Sequence, residues 1–108
     1  MRELHGCDCK IGSWTAVLNT MPPEKPRLAV TGVCTCPTGG YLTSLSKATP
    51  QGTNPNILLL ELTTIPPSGN VTQMVTDFDV IYKEKDSPNY TDVTILPCNI
   101  TIKVEVIR

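Results

Sequence analysis

The sequence predicts an all-β domain, a two-sheet antiparallel sandwich of about seven strands. Thr, Val and Ile make up 32 of the 108 residues, and their β-branched side chains favour the pleated, half-buried surface of a sheet. The 10 prolines and 7 glycines fall in short clusters, which is typical of turns between many short strands. A chain of this length matches one domain, so we expect residues 1–108 to share one core, with residues 1–10 as a loosely attached segment.

The first two predicted strands place apolar residues at alternate positions, which is the pattern of a strand with one buried face. The first, 11–19, places Trp14 and Leu18 on the core side and stops before two prolines. Proline ends a strand because it has no backbone N–H to donate. The second, 27–36, alternates over its whole length, and a Pro-Thr-Gly-Gly turn separates it from a shorter third strand, 41–46.

Four more predicted strands complete the domain. Residues 57–65 form the most continuous apolar stretch, which predicts a central strand covered on both faces. Residues 71–83, 90–96 and 98–106 each alternate, and the last shows the cleanest separation of apolar from polar positions. In the strand at 71–83 the predicted core side consists of Met74, Thr76, Phe78, Val80 and Tyr82.

Tyr90 follows a proline-bearing turn at the start of the sixth predicted strand. Sandwiches of the immunoglobulin type place a tyrosine at such a corner, where its hydroxyl ties the turn. At the level of the fold the chain therefore resembles an immunoglobulin-like sandwich. The cysteine, tryptophan and cysteine spacing of true immunoglobulin domains is absent, because Trp14 lies in the first predicted strand and the cysteines come in close pairs.

The charge and the hydropathy of the chain exclude two classes of partner. With 9 basic and 10 acidic residues the net charge is -1, so the chain lacks the positive field on which nucleic-acid binding depends. The longest apolar run, Ile57 to Leu60, is far shorter than the ~20 residues of a membrane-spanning helix, and we expect no membrane insertion. The dense charge run from Lys83 to Asp86 alternates in sign and is interpreted as a solvated strand end and turn.

The cysteines are the unusual feature of the sequence. Cys7 and Cys9 form one Cys-x-Cys pair, Cys34 and Cys36 form another, and Cys98 is left over. In a first interpretation all of them are reduced and structural, since free cysteine packs as a small hydrophobe. In a second, Cys7 and Cys9 form disulfides with Cys36 and Cys34 in some order, across antiparallel strands and in an oxidising compartment, with Cys98 as a free thiol.

A third interpretation makes Cys7, Cys9, Cys34 and Cys36 the ligands of one zinc ion. Tetrahedral zinc needs sulfurs under ~4 Å apart, whereas alternate residues of an extended strand stand ~6.5–7 Å apart at Cα. Each Cys-x-Cys pair would therefore need a kink to chelate the metal. The leading expectation is a chain without a cofactor, and zinc is the alternative.

Other patterns in the sequence have simpler interpretations. His5, the only histidine, is interpreted as a bystander, because a catalytic base must be held by a third group. Asp77 and Asp79 share one strand face and are interpreted as solvated outer-face residues, because calcium needs ~6–8 oxygen ligands, several of them from a loop. Acceptor triplets for N-glycosylation begin at Asn70, Asn89 and Asn99. They give weak support to a secreted origin.

No catalytic constellation or nucleotide-binding loop stands out in the sequence, which therefore predicts a non-catalytic β-sandwich module. Its expected role is protein–protein interaction through loops or a sheet edge, or a structural role, with another protein or domain as partner. The alternative is a metal-binding or redox protein that uses the paired cysteines. If Met1 is native, we expect an intracellular protein. If Met1 was added to a mature domain, we expect a secreted or extracellular one.

Overall fold

The computed structural model describes residues 7–23, 25–69 and 74–107. These residues form eight strands and no helix, which confirms the all-β prediction. They also contain no helix long and apolar enough to cross a membrane. The strands are β1 (Asp8–Cys9), β2 (Thr15–Asn19), β3 (Arg27–Cys36), β4 (Leu42–Lys47), β5 (Ile57–Ile65), β6 (Thr76–Lys85), β7 (Asp92–Leu96) and β8 (Ile100–Ile107).

The strands form one mixed sheet that curls into half a barrel. β3 pairs with β6 along one edge and with β2 and the short β1 along the other. From β2 the order continues through β8, β7 and β5 to β4. β8 is therefore the strand that joins the half containing β2, β3 and β6 to the half containing β7, β5 and β4.

Two of the ladders are parallel, so the prediction of a wholly antiparallel fold is wrong. β2 pairs parallel with β8, with Ala16 opposite Val104, and β5 pairs parallel with β7, with Leu58 opposite Val93. Apolar alternation fixes which face of a strand is buried, but it is the same for parallel and antiparallel neighbours. The direction of pairing between distant strands is therefore not readable from it.

The core lies on the concave side of the curled sheet and is lined by alternate residues of its strands. In β2 the predicted core side is confirmed, because Trp14, just before the strand, and Leu18 within it are 6% and 1% exposed. The largest fully buried side chains come from both halves of the sheet: Leu18, Leu28, Val30, Leu58, Leu60, Val93 and Ile95. One continuous apolar cluster results.

Three details of the predicted strands differ from the structure. Ile11 lies in a turn and is 86% exposed, because the Ser13 N–H bonds back to the Lys10 carbonyl and delays the first long strand. Met74 precedes β6 and is 66% exposed, although alternation predicts it in the core. β5 is buried on one face only, since its residues alternate between buried and more exposed positions.

Candidate functional site

Two disulfides attach the N-terminal segment to the sheet. Cys7 bonds to Cys36 at the end of β3, and Cys9 bonds to Cys98 in the turn between β7 and β8. Between them, β1 adds a two-residue antiparallel ladder in which Cys9 lies opposite Cys34. Covalent bonds and hydrogen bonds together hold Cys7 to Cys9 against the sheet.

The structure brings the predicted cysteines together but pairs them differently from the second interpretation. Cys7 does bond to Cys36, but Cys9 bonds to Cys98 and leaves Cys34 as the free thiol. Cys34 points into the core and is 0% exposed. The turn after β7 brings Cys98 next to Cys9 of β1. The spacing of the cysteines along the sequence does not reveal that these two residues are close.

Three of the four predicted zinc ligands form a cluster. The sulfur atoms of Cys7, Cys34 and Cys36 lie within 4.8 Å of one another, and Cys9 is not part of this group. Burial raises the pKa of the Cys34 thiol, so the proton stays on sulfur at neutral pH. Thiolates are the ligands of zinc, so this cluster could hold a metal only after the Cys7–Cys36 bond is reduced.

The two predicted aspartates lie on the convex surface, as expected. Asp77 and Asp79 are both exposed residues of β6. The Asp77 carboxylate accepts hydrogen bonds from the Thr35 hydroxyl at 2.7 Å and the Lys10 ammonium at 3.2 Å. These two contacts hold the pKa of Asp77 below its ordinary value, so it is ionised at neutral pH. His5 and Asn70 lie outside the described residues.

The convex side of β6 carries an ordered series of charges that the sequence interpretation did not use. Its outward residues are two carboxylates, one isoleucine and two ammonium groups in that order: Asp77, Asp79, Ile81, Lys83 and Lys85. The charges are therefore segregated, negative at the start of the strand and positive at its end. Ile81 lies between them and is 52% exposed.

Neighbouring strands extend this surface with small and apolar side chains. In β3, Val33 lies opposite Asp79, Thr31 opposite Ile81, and Ala29 opposite Lys83. Val17 of β2 lies opposite Ala29 on the far side of β3. We call these outward residues of β2, β3 and β6 the outer face. At the basic end of the outer face, Val17, Ala29, Lys83 and Lys85 line part of a surface groove of about 460 Å³.

Glu84, within the charge run interpreted as solvated, instead points inward. Its carboxylate accepts hydrogen bonds from the Tyr82 hydroxyl at 2.7 Å and from the Tyr90 hydroxyl at 3.2 Å, and it lies 4.0 Å from the Lys47 ammonium. Burial, together with this carboxylate, raises the pKa of Tyr82 far above its ordinary value. Tyr90 thus ties the corner before β7 through a side chain of β6. The inward orientation of Glu84 was predictable from the sequence, because Glu84 follows Val80 and Tyr82 at steps of two residues and therefore lies on the same side of the strand.

Comparison with known proteins adds no further information about this site. No family model, curated protein or solved structure matches the chain.

Proposed function

We propose that this domain is a non-catalytic module that binds another protein through its outer face. The observation that carries the proposal is the order of side chains on β6, where the exposed Ile81 lies between two carboxylates and two ammonium groups. Protein interfaces combine an apolar centre with a polar rim. Complementary charge at the rim selects the partner and its orientation more than it adds affinity.

The framework under this face suits a binding role. β6 pairs with β3 along its full length, from Arg27 opposite Lys85 to Cys36 opposite Thr76. Disulfides attach β1 to both β3 and the turn before β8. A surface held in this way is largely ordered before binding, which lowers the entropic cost of association. The disulfides also favour an oxidising compartment as the place of action.

Lysine acetylation in the native extract provides a test that does not require the partner to be identified. Acetylation at low reagent concentration should label Lys83 and Lys85 at least about fivefold less in the extract than in the purified, dilute protein, because a bound partner excludes the reagent. Lys47 of β4, whose side chain is 47% exposed and lies 4.0 Å from the inward-pointing Glu84, is the control and should label equally in both samples. Peptide mass spectrometry gives the extent at each site. Equal labelling of Lys83 and Lys85 in the two samples would contradict the proposal.

The fold itself is proposed to be a variant of the immunoglobulin-like sandwich. In such a sandwich the first, second and fifth strands are neighbours in one sheet, and the sixth and seventh are neighbours in the other. If the two-residue β1 is left out of the count, β2, β3 and β6 are the first, second and fifth strands, and they are adjacent in that order. β7 and β8 are then the sixth and seventh strands, and they pair with each other. The departure lies in β4 and β5, since β5 pairs parallel with β7 and β4 pairs only with β5 among the described strands.

A second candidate function is metal binding by the reduced cysteine cluster, and the 4.8 Å grouping of the Cys7, Cys34 and Cys36 sulfurs supports it. A dithiol reductant would transfer two electrons and two protons to the Cys7–Cys36 bond and would itself close to a cyclic disulfide. The three thiols would then lose their protons to solvent as they bind a zinc ion, leaving one coordination position for another ligand.

Cadmium, a spectroscopic stand-in for zinc, tests this candidate. The reduced, desalted protein should bind one cadmium ion per chain, seen as an ultraviolet thiolate-to-metal absorption band. The variant Cys34→Ser should lose most of that band, whereas Cys98→Ser should retain it, because Cys98 lies outside the cluster. Equal absorption by the two variants would exclude the cluster as the metal site.

A further inference from the structure

The outward charges of β6 are symmetric about Ile81. Asp79 lies two residues before Ile81 and Lys83 lies two residues after it, while Asp77 and Lys85 lie four residues before and after. Each step of two residues advances about 6.6 Å along a strand. Every carboxylate therefore has an ammonium group at the same distance on the other side of Ile81.

This symmetry makes the outer face complementary to itself. A two-fold axis that crosses the strands at Ile81 places Asp79 of one copy over Lys83 of the other, and Asp77 over Lys85. The same operation places Ile81 over Ile81 of the second copy, and Thr31, its neighbour in β3, over Thr31. In a two-fold contact each pair of this kind occurs twice, so four opposite-charge contacts would surround the apolar centre.

The outward face of β6 is available for such a contact. β4 comes near β6 where the Lys47 ammonium lies 4.0 Å from the inward-pointing Glu84. The outward side chains are accessible: Ile81 is 52% exposed, and the Asp77 side chain is 47% exposed. Sheets pack face to face about 10 Å apart, a gap that a lysine and an aspartate side chain can span together.

We infer that the partner of the outer face is a second copy of this chain, packed face to face with its β6 running in the opposite direction. This inference rests on the proposed function, because it identifies the partner of the same surface. The charge order selects the reversed orientation: with the strands aligned in the same direction, carboxylates would lie over carboxylates and ammonium groups over ammonium groups.

Charge exchange between Asp79 and Lys83 tests the inference by analytical ultracentrifugation of the purified, disulfide-bonded chain. The wild-type chain should form dimers that weaken as salt is added. Each of Asp79→Lys and Lys83→Asp should weaken the dimer by about tenfold or more, since each places like charges opposite each other. The double variant D79K/K83D should associate as the wild type does, because exchanging both charges restores every pair across a two-fold axis.

Controls separate this result from general charge effects and from failure of the proposed function. Glu61→Lys changes net charge as Asp79→Lys does, but it lies in β5, and it should leave the dimer intact. Circular dichroism checks that every variant is folded. A wild-type chain that stays monomeric up to millimolar concentration, or a double variant as weak as the single ones, would overturn self-association. If Lys83 and Lys85 are nevertheless protected in the native extract, the outer face binds a different protein and the proposed function stands.

Discussion

Replacing Cys9 and Cys98 together by alanine should lower the free energy of unfolding by about 4.6 kcal/mol, the loop-entropy value for the sequence separation of 89 between them. The bond stabilises the fold mainly by restricting the unfolded chain, and a longer closed loop restricts it more. A domain of this size has a total stability of about 5–15 kcal/mol. The loss should therefore be visible as a large fall in the urea midpoint at unchanged slope.

The matched variant is the alanine replacement of Cys7 and Cys36, which are separated by 29 residues in the sequence. The same entropy relation gives about 3.6 kcal/mol for that shorter loop, so the Cys9–Cys98 variant should be the less stable of the two. Cys34 remains a free, buried thiol in both. A loss below about 1 kcal/mol for the Cys9–Cys98 variant would show that this bond is dispensable or not formed.

Gly32→Ala should cost about 3 kcal/mol, at the upper end of the range for overpacking a core. Gly32 lies on the buried side of β3, and a Cβ added there would overlap the Cδ2, Cε3 and Cζ3 atoms of the Trp14 ring. Trp14 is 6% exposed, so the ring is enclosed by the core and can move only if neighbouring core residues shift. Because the chain contains a single tryptophan, its fluorescence reports the displacement directly during urea unfolding.

Two further variants assign this loss to the indole. Gly39→Ala is the control, because an added Cβ would meet its nearest atom, the Thr76 hydroxyl oxygen, only at 3.8 Å. We expect a change within about 0.5 kcal/mol there. In a Trp14→Leu background, which lacks tryptophan and is therefore followed by circular dichroism during urea unfolding, Gly32→Ala should cost under about 1 kcal/mol, because the ring that it meets is gone. A cost that is the same in both backgrounds would contradict the assigned contact.

Alternation in the sequence predicted the strands better than any other signal. The predicted ranges 27–36 and 57–65 coincide with β3 and β5, because each lies without interruption between clear turns. The burial of Trp14 and Leu18 was predicted from alternation too. The order and direction of the strands were not. They depend on how distant segments pack, which a period of two residues does not record.

The candidate site shows the same division between local and long-range information. That Asp77, Asp79 and Lys83 share a face followed from their spacing, but the predicted strand ended at Lys83. β6 continues to Lys85, and only that longer strand is symmetric about Ile81. The Cys9–Cys98 bond had no local signal, because it depends on where the turn after β7 comes to lie.

The position of β8 has a consequence for the kinetics of folding. Two groups of strands can pair before β8 is present: β2 with β3 and β6, and β4 with β5 and β7. Among the described residues, the hydrogen bonds of β8 join these two groups. β8 follows every other described strand in the chain, and its ladder with β2 joins residues as far apart as Ala16 and Val104. Pairings of such separation form slowly, since the loop between them must first be closed. During synthesis on the ribosome, this domain should therefore remain two partly formed half-sheets until β8 emerges. The apolar faces of both half-sheets are exposed in that state, which makes the chain prone to aggregation and a suitable target for chaperones.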